Sequence, residues 1–380
     1  MDVLSLNVWG APYAKHRQAR MQAIVAYIEV LKPDVVLFQE AYLAPDRAIL
    51  MDGLKSILPH QHYFPSGLVG SGLLTVSAYP IVNTAFQAFS MQGKPEDITR
   101  GDYYARKGIA LTRLDTPDGI LDVYNCHTHA QYEPDNDNEY AVYNETNLYE
   151  AARFLDAQSG ATPALLAGDL NTRPDQAGYR IITQLGSLVD ARHQLTQTHT
   201  PTYRAVNPYT NANDQCLDYV LVRNIGVESI RHVMTETLSG EAEAYSDHDG
   251  MWCAVRLQGD TLNVYEADCR AVLRDLQTRV AESAVDARDA QLARLGRGFL
   301  AAGSLLDGAL VSAFIGRYSK TLAKIVRWFG FIFAIGYAVW QLIQAGINLQ
   351  ARRSILEGLQ AEIETQLVSG RLFDGRELRK

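Results

Sequence analysis

Polar side chains suited to phosphoester hydrolysis recur at the ends of apolar runs in the first 250 residues. Asn7 and Trp9 close the first run, Gln39-Glu40 a second, and Gly168-Asp169-Leu170-Asn171 a later one, while Ser246-Asp247-His248 precede the last and His127 falls between. A diester resists hydrolysis because its anionic oxygens repel a nucleophile and its departing alkoxide leaves poorly. A hard divalent cation answers both difficulties. Magnesium favours a few carboxylates together with water and phosphate oxygens, so one carboxylate such as Glu40 beside an amide such as Asn7 suits it better than an all-protein cage. His127 and His248 could divide proton transfer, one taking the proton from water and the other delivering it to the departing oxygen, each worth about 10² to 10⁴ in rate. Asp218, in Leu-Asp-Tyr, is a candidate to fix the tautomer of His248. Singly these signals are weak, since a Glu after an apolar run is an ordinary boundary residue and Gly-Asp-x-Asn an ordinary turn. Their order along one chain points to one site.

Such a site needs a rigid sheet behind it. Leu4 to Val8, then Met21, Ile24, Val25, Ile28 and Leu31 at helical spacing, then Val35 to Phe38 read as strand, helix, strand, with Pro33 at the break. Further apolar runs of strand length begin at Leu73, Gly108, Ile120, Ala164, Leu217 and Met251. Asn138 to Gln158 and Asp175 to Leu185 are expected to be helical. Strands in pairs with intermittent helices predict mixed sheets covered by helices. Four cysteines, Cys126, Cys216, Cys253 and Cys269, have no C-x-x-C pairing and read as buried thiols. The N-terminus begins a strand rather than a secretion signal.

Beyond Leu257 the composition changes. Val264 to about Leu295 mixes both charges with Ala and Leu, as a solvated helix does. Gly298 to Gly316 carries one charge, Asp307, and Trp328 to Ala351 none over 24 residues, against about 20 needed to span a bilayer. Arg317, Lys320, Lys324 and Arg327 lie between them, close enough for one to pair with Asp307 in a re-entrant hairpin. The expected organisation is a catalytic domain over 1–258, a helical linker over 259–297, two hydrophobic membrane helices over 298–351 and a polar tail over 352–380. A soluble hairpin packed on the catalytic part, or self-association through these helices, is the alternative use of the apolar surface.

The order of motifs resembles the endonuclease/exonuclease/phosphatase superfamily, and within it the magnesium-dependent neutral sphingomyelinases of type 1, which also place two hydrophobic segments after the catalytic domain. The resemblance rests on LNVWGAPYAKHRQARM from Leu6, Gln39-Glu40, HYFPSGLVGSGLLTVSAYPI from His62, GDYYARKG from Gly101, HTHAQY from His127, GDLNTRP from Gly168, LDYVLV from Leu217 and SDH from Ser246. It implies an α+β fold, a four-layer α/β/β/α sandwich like that of deoxyribonuclease I, followed by a C-terminal helical transmembrane hairpin. It also implies that Glu40 binds Mg²⁺, with Mn²⁺ as a substitute and Asn7 beside it. Asp169 and Asn171 would position the nucleophile and a phosphoryl oxygen, and His248, within Asp247-His248, would act as general base. His127 would contact the phosphate and leaving oxygen, and Lys107 would meet the phosphate under restraint from Asp102. His129 is expected to be a satisfied strand histidine. The chain departs from the family pattern with Cys126 in place of Thr and with Cys216 where a basic residue is frequent.

Charge narrows the substrate. Residues 1–258 hold 19 basic and 30 acidic side chains, net −11, whereas 259–380 are net +3. Nucleic-acid binders draw affinity from Lys and Arg displacing counterions, so an acidic catalytic portion disfavours nucleic acid. A membrane lipid such as sphingomyelin, cleaved to ceramide and phosphocholine, is the expected substrate and the bilayer the expected partner. A nuclease or inositol-phosphate phosphatase, or a non-catalytic tail-anchored scaffold, are the competing readings.

Overall fold

The computed structural model describes residues 1–380 apart from 98–99, 133–139, 196, 211–212, 241, 258–267, 318, 374–375 and 379–380, and apart from the side chains of 302–310. The expected helix starts at Asn138 and Val264, and the pairing of Asp307, lie outside the described residues. In chain order the elements are β1 (Asp2–Asn7), α1 (Arg17–Leu31), β2 (Val35–Gln39), α2 (Ala44–Leu54), β3 (His60–Tyr63), β4 (Leu74–Ser77), β5 (Ile81–Ala88), α3 (Asp102–Ala105), β6 (Gly108–Thr116), β7 (Gly119–His127) and α4 (Ala141–Ser159). There follow β8 (Ala164–Asp169), α5 (Ala177–Arg180), β9 (Val189–Asp190), α6 (Ala191–Gln194), β10 (Asp218–Arg223), β11 (Gly226–Val233), β12 (Gly250–Arg256), α7 (Cys269–Ile315), α8 (Lys320–Ile343) and α9 (Gln350–Ser369).

Two six-stranded sheets form, one in the order β11-β12-β1-β2-β4-β3 and the other β5-β6-β7-β8-β10-β9. Strand alternation decides what lies between them. Val3, Val35, Leu37, Leu121, Val123, Leu165, Ala167, Val220 and Val222 make the apolar filling of the sandwich, whereas Leu4, Leu6, Val36 and Phe38 face outward onto Met21 and Ile24 of α1 and Leu50 of α2. On the opposite side Tyr124 of β7 meets α4, its hydroxyl on Ser159 Oγ at 2.6 Å and its ring against Phe154. Helix, sheet, sheet and helix therefore stack as the four layers expected.

The same two-residue period brings the polar residues together. On β1, β2, β7 and β8 the inward face is apolar until the last rungs, where Ser5 and Asn7, Gln39, Asn125 and His127, and Asp169 take over. β1 and β2 are parallel with Asn7 opposite Gln39, β7 and β8 are parallel with His127 opposite Asp169, and antiparallel β10 sets its first residue, Asp218, opposite Asp169. Five strand ends thus open on one edge of the sandwich. Immediately beneath, the buried Gln39 side chain donates from Nε2 to Asn125 Oδ1 at 2.8 Å across the sheets, and Asn125 Nδ2 donates to the Phe38 carbonyl at 3.0 Å.

Several expectations need correction. The run from Leu73 is not one strand: it breaks at Ala78–Pro80, and its continuation joins the other sheet as β5. Helix α2 and strands β3, β9 and β11 were not signalled, because β3 (HQHY) and β11 (GVESIRHV) are edge strands without a fully apolar face. His129 lies beyond the end of β7, not in a strand; its Nδ1 is 2.8 Å from the Ala130 carbonyl and its ring stacks on Tyr140 at 5.0 Å.

Two compact units divide the chain. Met1–Leu273 and Ser369–Lys380 make the first, in which Leu372 and Leu378 are buried, and Arg274–Val368 the second. Within the second, α7 continues without interruption through residue 297 to Ile315, and α8 runs through a π-helical turn at Gln344–Leu349 into α9. The two long helices are joined by Ser312 Oγ to the Ala323 carbonyl at 2.9 Å and by Gln291 Nε2 to the Ala345 carbonyl at 3.1 Å. Among the described residues one helix, Lys320–Ser369, is long and apolar enough to cross a membrane.

The Gln39–Asn125 link predicts a specific cost. Asn125→Leu leaves the buried Gln39 amide without its cross-sheet acceptor, so unfolding free energy in urea should fall by about 1–3 kcal/mol; an unchanged midpoint would contradict the link.

Candidate active site

The strand ends open into a cleft of about 780 Å³. At its floor Asn7 Nδ2 donates to Asp169 Oδ2 at 2.9 Å and to Glu40 Oε1 at 3.2 Å, tying two carboxylates from different sheets. Its Oδ1 accepts the Trp9 N–H at 3.0 Å. Asn7 therefore stands beside Glu40 as expected, oriented as a donor to it. Asp169 Oδ1 accepts the Asn171 N–H at 3.0 Å, and Asn171 Nδ2 donates to the Thr128 carbonyl at 3.1 Å.

Local backbone delivers these groups at a cost. Trp9, Glu40 and Asn171 follow the ends of β1, β2 and β8, and all three adopt left-handed φ values of 48°, 59° and 45°. Non-glycine residues pay for that conformation unless their surroundings hold it. Glycine makes room for the Glu40 turn: a Cβ on Gly10 would lie 2.1 Å from the Glu40 carbonyl oxygen, and Gly72, at φ +75°, packs against Glu40 Cα.

Opposite lies a histidine–aspartate pair. His248 Nδ1 is 2.8 Å from Asp218 Oδ2, which also accepts the Thr202 hydroxyl at 2.6 Å. The other ring nitrogen, Nε2, is 3.8 Å from Asp169 Oδ2. Burial disfavours the imidazolium, but Asp218, Asp169 and Asp247 outweigh it and hold the His248 pKa well above the usual imidazole range. His127 behaves oppositely. Burial, reinforced by Lys107, His248 and His129, keeps it well below that range, and neither ring nitrogen has a hydrogen-bond partner among the described residues. Its Nε2 is 3.5 Å from Asp169 Oδ2 and 3.9 Å from Glu40 Oε1, aimed at the cluster.

Lys107 Nζ lies 2.5 Å from Asp102 Oδ1 and donates to the Thr128 carbonyl at 3.2 Å; Tyr132 donates its hydroxyl to the same aspartate. Asp247, with Oδ1 3.2 Å from Ser246 Oγ, lines the cleft. Asn7, Glu40, Asp102, Lys107, His127, Asp169, Asn171, Asp247 and His248 all line this cleft or touch a residue that does, with Asp218 behind His248. Sequence reasoning did not find Thr202, Tyr203 or Tyr132. The first holds Asp218, the second packs its ring 5.1 Å from that of His248, and the third holds Asp102. Tyr132 closes the HTHAQY run without a role being read for it, and Thr202 and Tyr203 lie in no run with a readable spacing.

The donor set fits a divalent cation. Burial raises the pKa of Glu40 and pushes Asp169 and Asp247 up to about 6 each; with Asp218 behind His248, four acids converge where water does little to separate their charges. Ligand atoms of Asp169, Asp218 and His248 also lie within 4.8 Å of one another. His248 Nδ1 and Asp218 already satisfy each other, and a hard cation prefers oxygen, which leaves the Glu40–Asp169 corner as the better cradle.

A model of the endonuclease/exonuclease/phosphatase family matches residues 4–248. The chain is 32% identical over 193 residues to human sphingomyelin phosphodiesterase 2, covering 50% of this chain and 45% of that one. It is 32% identical over 216 residues to inositol phosphosphingolipids phospholipase C of Saccharomyces cerevisiae, again 50% and 45%. It thus spans about half the length of these relatives, and 61% and 65% of relatives from Drosophila melanogaster and Caenorhabditis elegans. Among solved structures, a double mutant of beta toxin from Staphylococcus aureus with bound magnesium ions shares the fold, with a TM-score of 0.50 at 17% identity over 66% of this chain and 98% of that one.

Protons and a cation should compete for the cluster. Carboxyl pKa values raised above the unfolded value of about 4 stabilise the cation-free fold as pH falls through 6 and cease to do so above it. MgCl₂ added to EDTA-treated protein should therefore raise Tm more at pH 8 than at pH 5.5. Equal shifts would place the cation elsewhere.

Proposed function

Because the chain belongs to the endonuclease/exonuclease/phosphatase family, we propose that it is a Mg²⁺-dependent phosphodiesterase of the phospholipase C type, cleaving sphingomyelin or a related phosphosphingolipid to ceramide and the phosphorylated headgroup. The observation that carries this reading is the His248–Asp218 pair facing Glu40, Asp169 and the unpartnered His127 across one cleft. Both named relatives act, by their names, on phosphosphingolipids.

When bound, the cation would neutralise phosphoryl charge and stabilise the departing oxygen. The chain's own groups supply the rest. In its unprotonated form, which its raised pKa confines to the alkaline side of the usual imidazole range, His248 Nε2 takes a proton from water as its oxygen attacks phosphorus, and Asp218 on Nδ1 fixes the tautomer and stabilises the imidazolium formed. Asp169, held by Asn7 and the Asn171 N–H, orients that water. His127, neutral and buried, donates a hydrogen bond to the phosphate on the side of the leaving alkoxide, which takes a proton from solvent to end as the ceramide hydroxyl while His248 returns its own proton to solvent. Lys107, restrained by Asp102, adds positive charge at the phosphate.

The cleft disfavours nucleic acid. Its charged lining is Glu40, Asp102, Asp169 and Asp247 against Arg100 and Lys107, and Lys107 is already paired. Acids among the rings of Tyr13, Tyr203 and Tyr209 suit a quaternary ammonium better than an anionic polymer. Exposed Phe329, Ile332 and Phe333 on α8, within the one helix among the described residues that is long and apolar enough to span a bilayer, favour anchoring in the membrane that contains the substrate.

Sphingomyelin vesicles with Mg²⁺ should yield ceramide by mass spectrometry, and EDTA should abolish it; no ceramide from any phosphosphingolipid would reject the proposal. Glu40→Gln and His248→Ala should each lower turnover about 10²–10⁴-fold with vesicle co-sedimentation unchanged. The double change Phe329→Glu, Phe333→Glu should do the reverse, weakening co-sedimentation while hydrolysis of a soluble diester stays within twofold.

A further inference from the structure

Arg20 is a fully buried side chain of α1, with no solvent exposure. A guanidinium in that position normally requires a carboxylate. Among the described residues, none of its hydrogen bonds is to one. Nε donates to the Lys15 carbonyl at 2.9 Å, Nη1 to those of Val8 at 2.6 Å and Tyr245 at 3.2 Å, and Nη2 to that of Trp9 at 2.8 Å. Its planar face lies over the rings of Trp9, 4.9 Å from the centroid, and Tyr209, 5.7 Å away. Burial lowers its pKa, and the nearby charge of Asp247 heads the groups that oppose this.

The recipients are informative. Val8 and Trp9 directly follow Asn7, and Tyr245 precedes Ser246-Asp247-His248, so one side chain from a helix outside the cleft grips two of the three segments that supply the site from this sheet. Two further bonds complete the clip: Ser246 Oγ donates to the Asn7 carbonyl at 2.6 Å, and Asn7 Oδ1 accepts the Trp9 N–H. The left-handed Trp9 is thereby held at its N–H by Asn7 and at its carbonyl by Arg20. A lysine places one point charge here and cannot span four carbonyls set around a plane. An apolar residue fills the volume and leaves those carbonyls buried without donors.

We propose that Arg20 is a positioning residue for hydrolysis, locking the 8–15 loop to the 245–248 segment so that Asn7 and His248 are held in register across the cleft. This rests on the phosphodiesterase reading above for its kinetic consequence, though not for its structural one. Displacing a reacting group by an ångström costs about 10²-fold in rate, so the effect belongs in kcat rather than in substrate binding.

The test compares wild type, Arg20→Lys and Arg20→Met in two ways at 15 °C. Hydrogen–deuterium exchange, which needs no substrate, should show faster uptake in peptides covering 8–15 and 244–249 and unchanged uptake in β6 and β7. On sphingomyelin vesicles with Mg²⁺, kcat should fall about 30-fold or more with KM within threefold. An active wild type with Arg20→Lys inside twofold of its kcat overturns the proposal, as does unchanged uptake in both segments. Uptake rising throughout the molecule, or loss of folding in both variants, also overturns it, in favour of a purely structural role. An inactive wild type with segment-specific uptake sinks the enzymatic reading and leaves the clip standing.

Discussion

Four carboxylates in one poorly hydrated cleft set the terms for the rest of this molecule. Two unit charges 4 Å apart cost about 4 kcal/mol at an effective dielectric of 20, and Glu40, Asp169, Asp218 and Asp247 gather at the end of one sandwich. Burial raises the pKa values of three of them, and a neighbouring acid pushes each further up. The protein offsets this repulsion in part with oriented donors: the Asn7 amide between two acids, the Asn171 N–H, the Thr202 hydroxyl and the His248 ring. Such donors stabilise charge only if they cannot turn away, which is why they arise from strand ends and adjoining turns fixed by a close-packed sandwich. What remains unbalanced is what a divalent cation and a phosphate would complete.

The strand ends were legible because each combines a clean apolar period with a sudden polar terminus: LSLN, VLFQE, VYNCH and ALLAGD say both where the strand lies and where it stops. The four-layer architecture and the site residues followed from that pattern and the family resemblance. What stayed hidden was non-local. Nothing in AYPI announces that the chain leaves one sheet at Ala78 and enters the other at Ile81, because a strand break and a sheet change leave the same mark. Thr202 and Tyr203 come from a loop whose order is set by pairing with Gln215 and His248, a contact between distant parts of the chain. Arg20 lay unremarked within LNVWGAPYAKHRQARM, since burial of a charge cannot be read without knowing what surrounds it.

The two histidines show how one cleft sets two proton affinities from the same side chain. His248 has three acids near it and gains more from them than burial removes, whereas His127 is as deeply buried but is surrounded on its other sides by Lys107, His248 and His129. Their ring environments differ in the same sense, with one Nδ1 anchored on Asp218 and the other ring unbonded at both nitrogens. A pair driven apart in this way is suited to opposite proton roles, one ring able to carry charge and the other kept neutral to donate a hydrogen bond. Their separation arises from placement: His127 ends a central strand, while His248 stands just before a strand of the other sheet.

Strain supplies the final link between fold and chemistry. Trp9, Glu40 and Asn171 each take a left-handed turn after a strand, and each costs of order 1–3 kcal/mol where nothing holds it. All three are held. Trp9 is gripped by Asn7 and Arg20, the Glu40 carbonyl is approached closely by Gly10 and its Cα by Gly72, and Asn171 is bound by Asp169 at its N–H and by Thr128 at its side chain. A regular extension of any strand would have carried the following side chain on to the opposite face of the sheet. Left-handed turns instead fold the chain back over the strand ends, so that Glu40, next in sequence to the inward-facing Gln39, still reaches Asn7 in the same cleft. The conformational cost is thus tied to the convergence of groups that alternation alone would have separated.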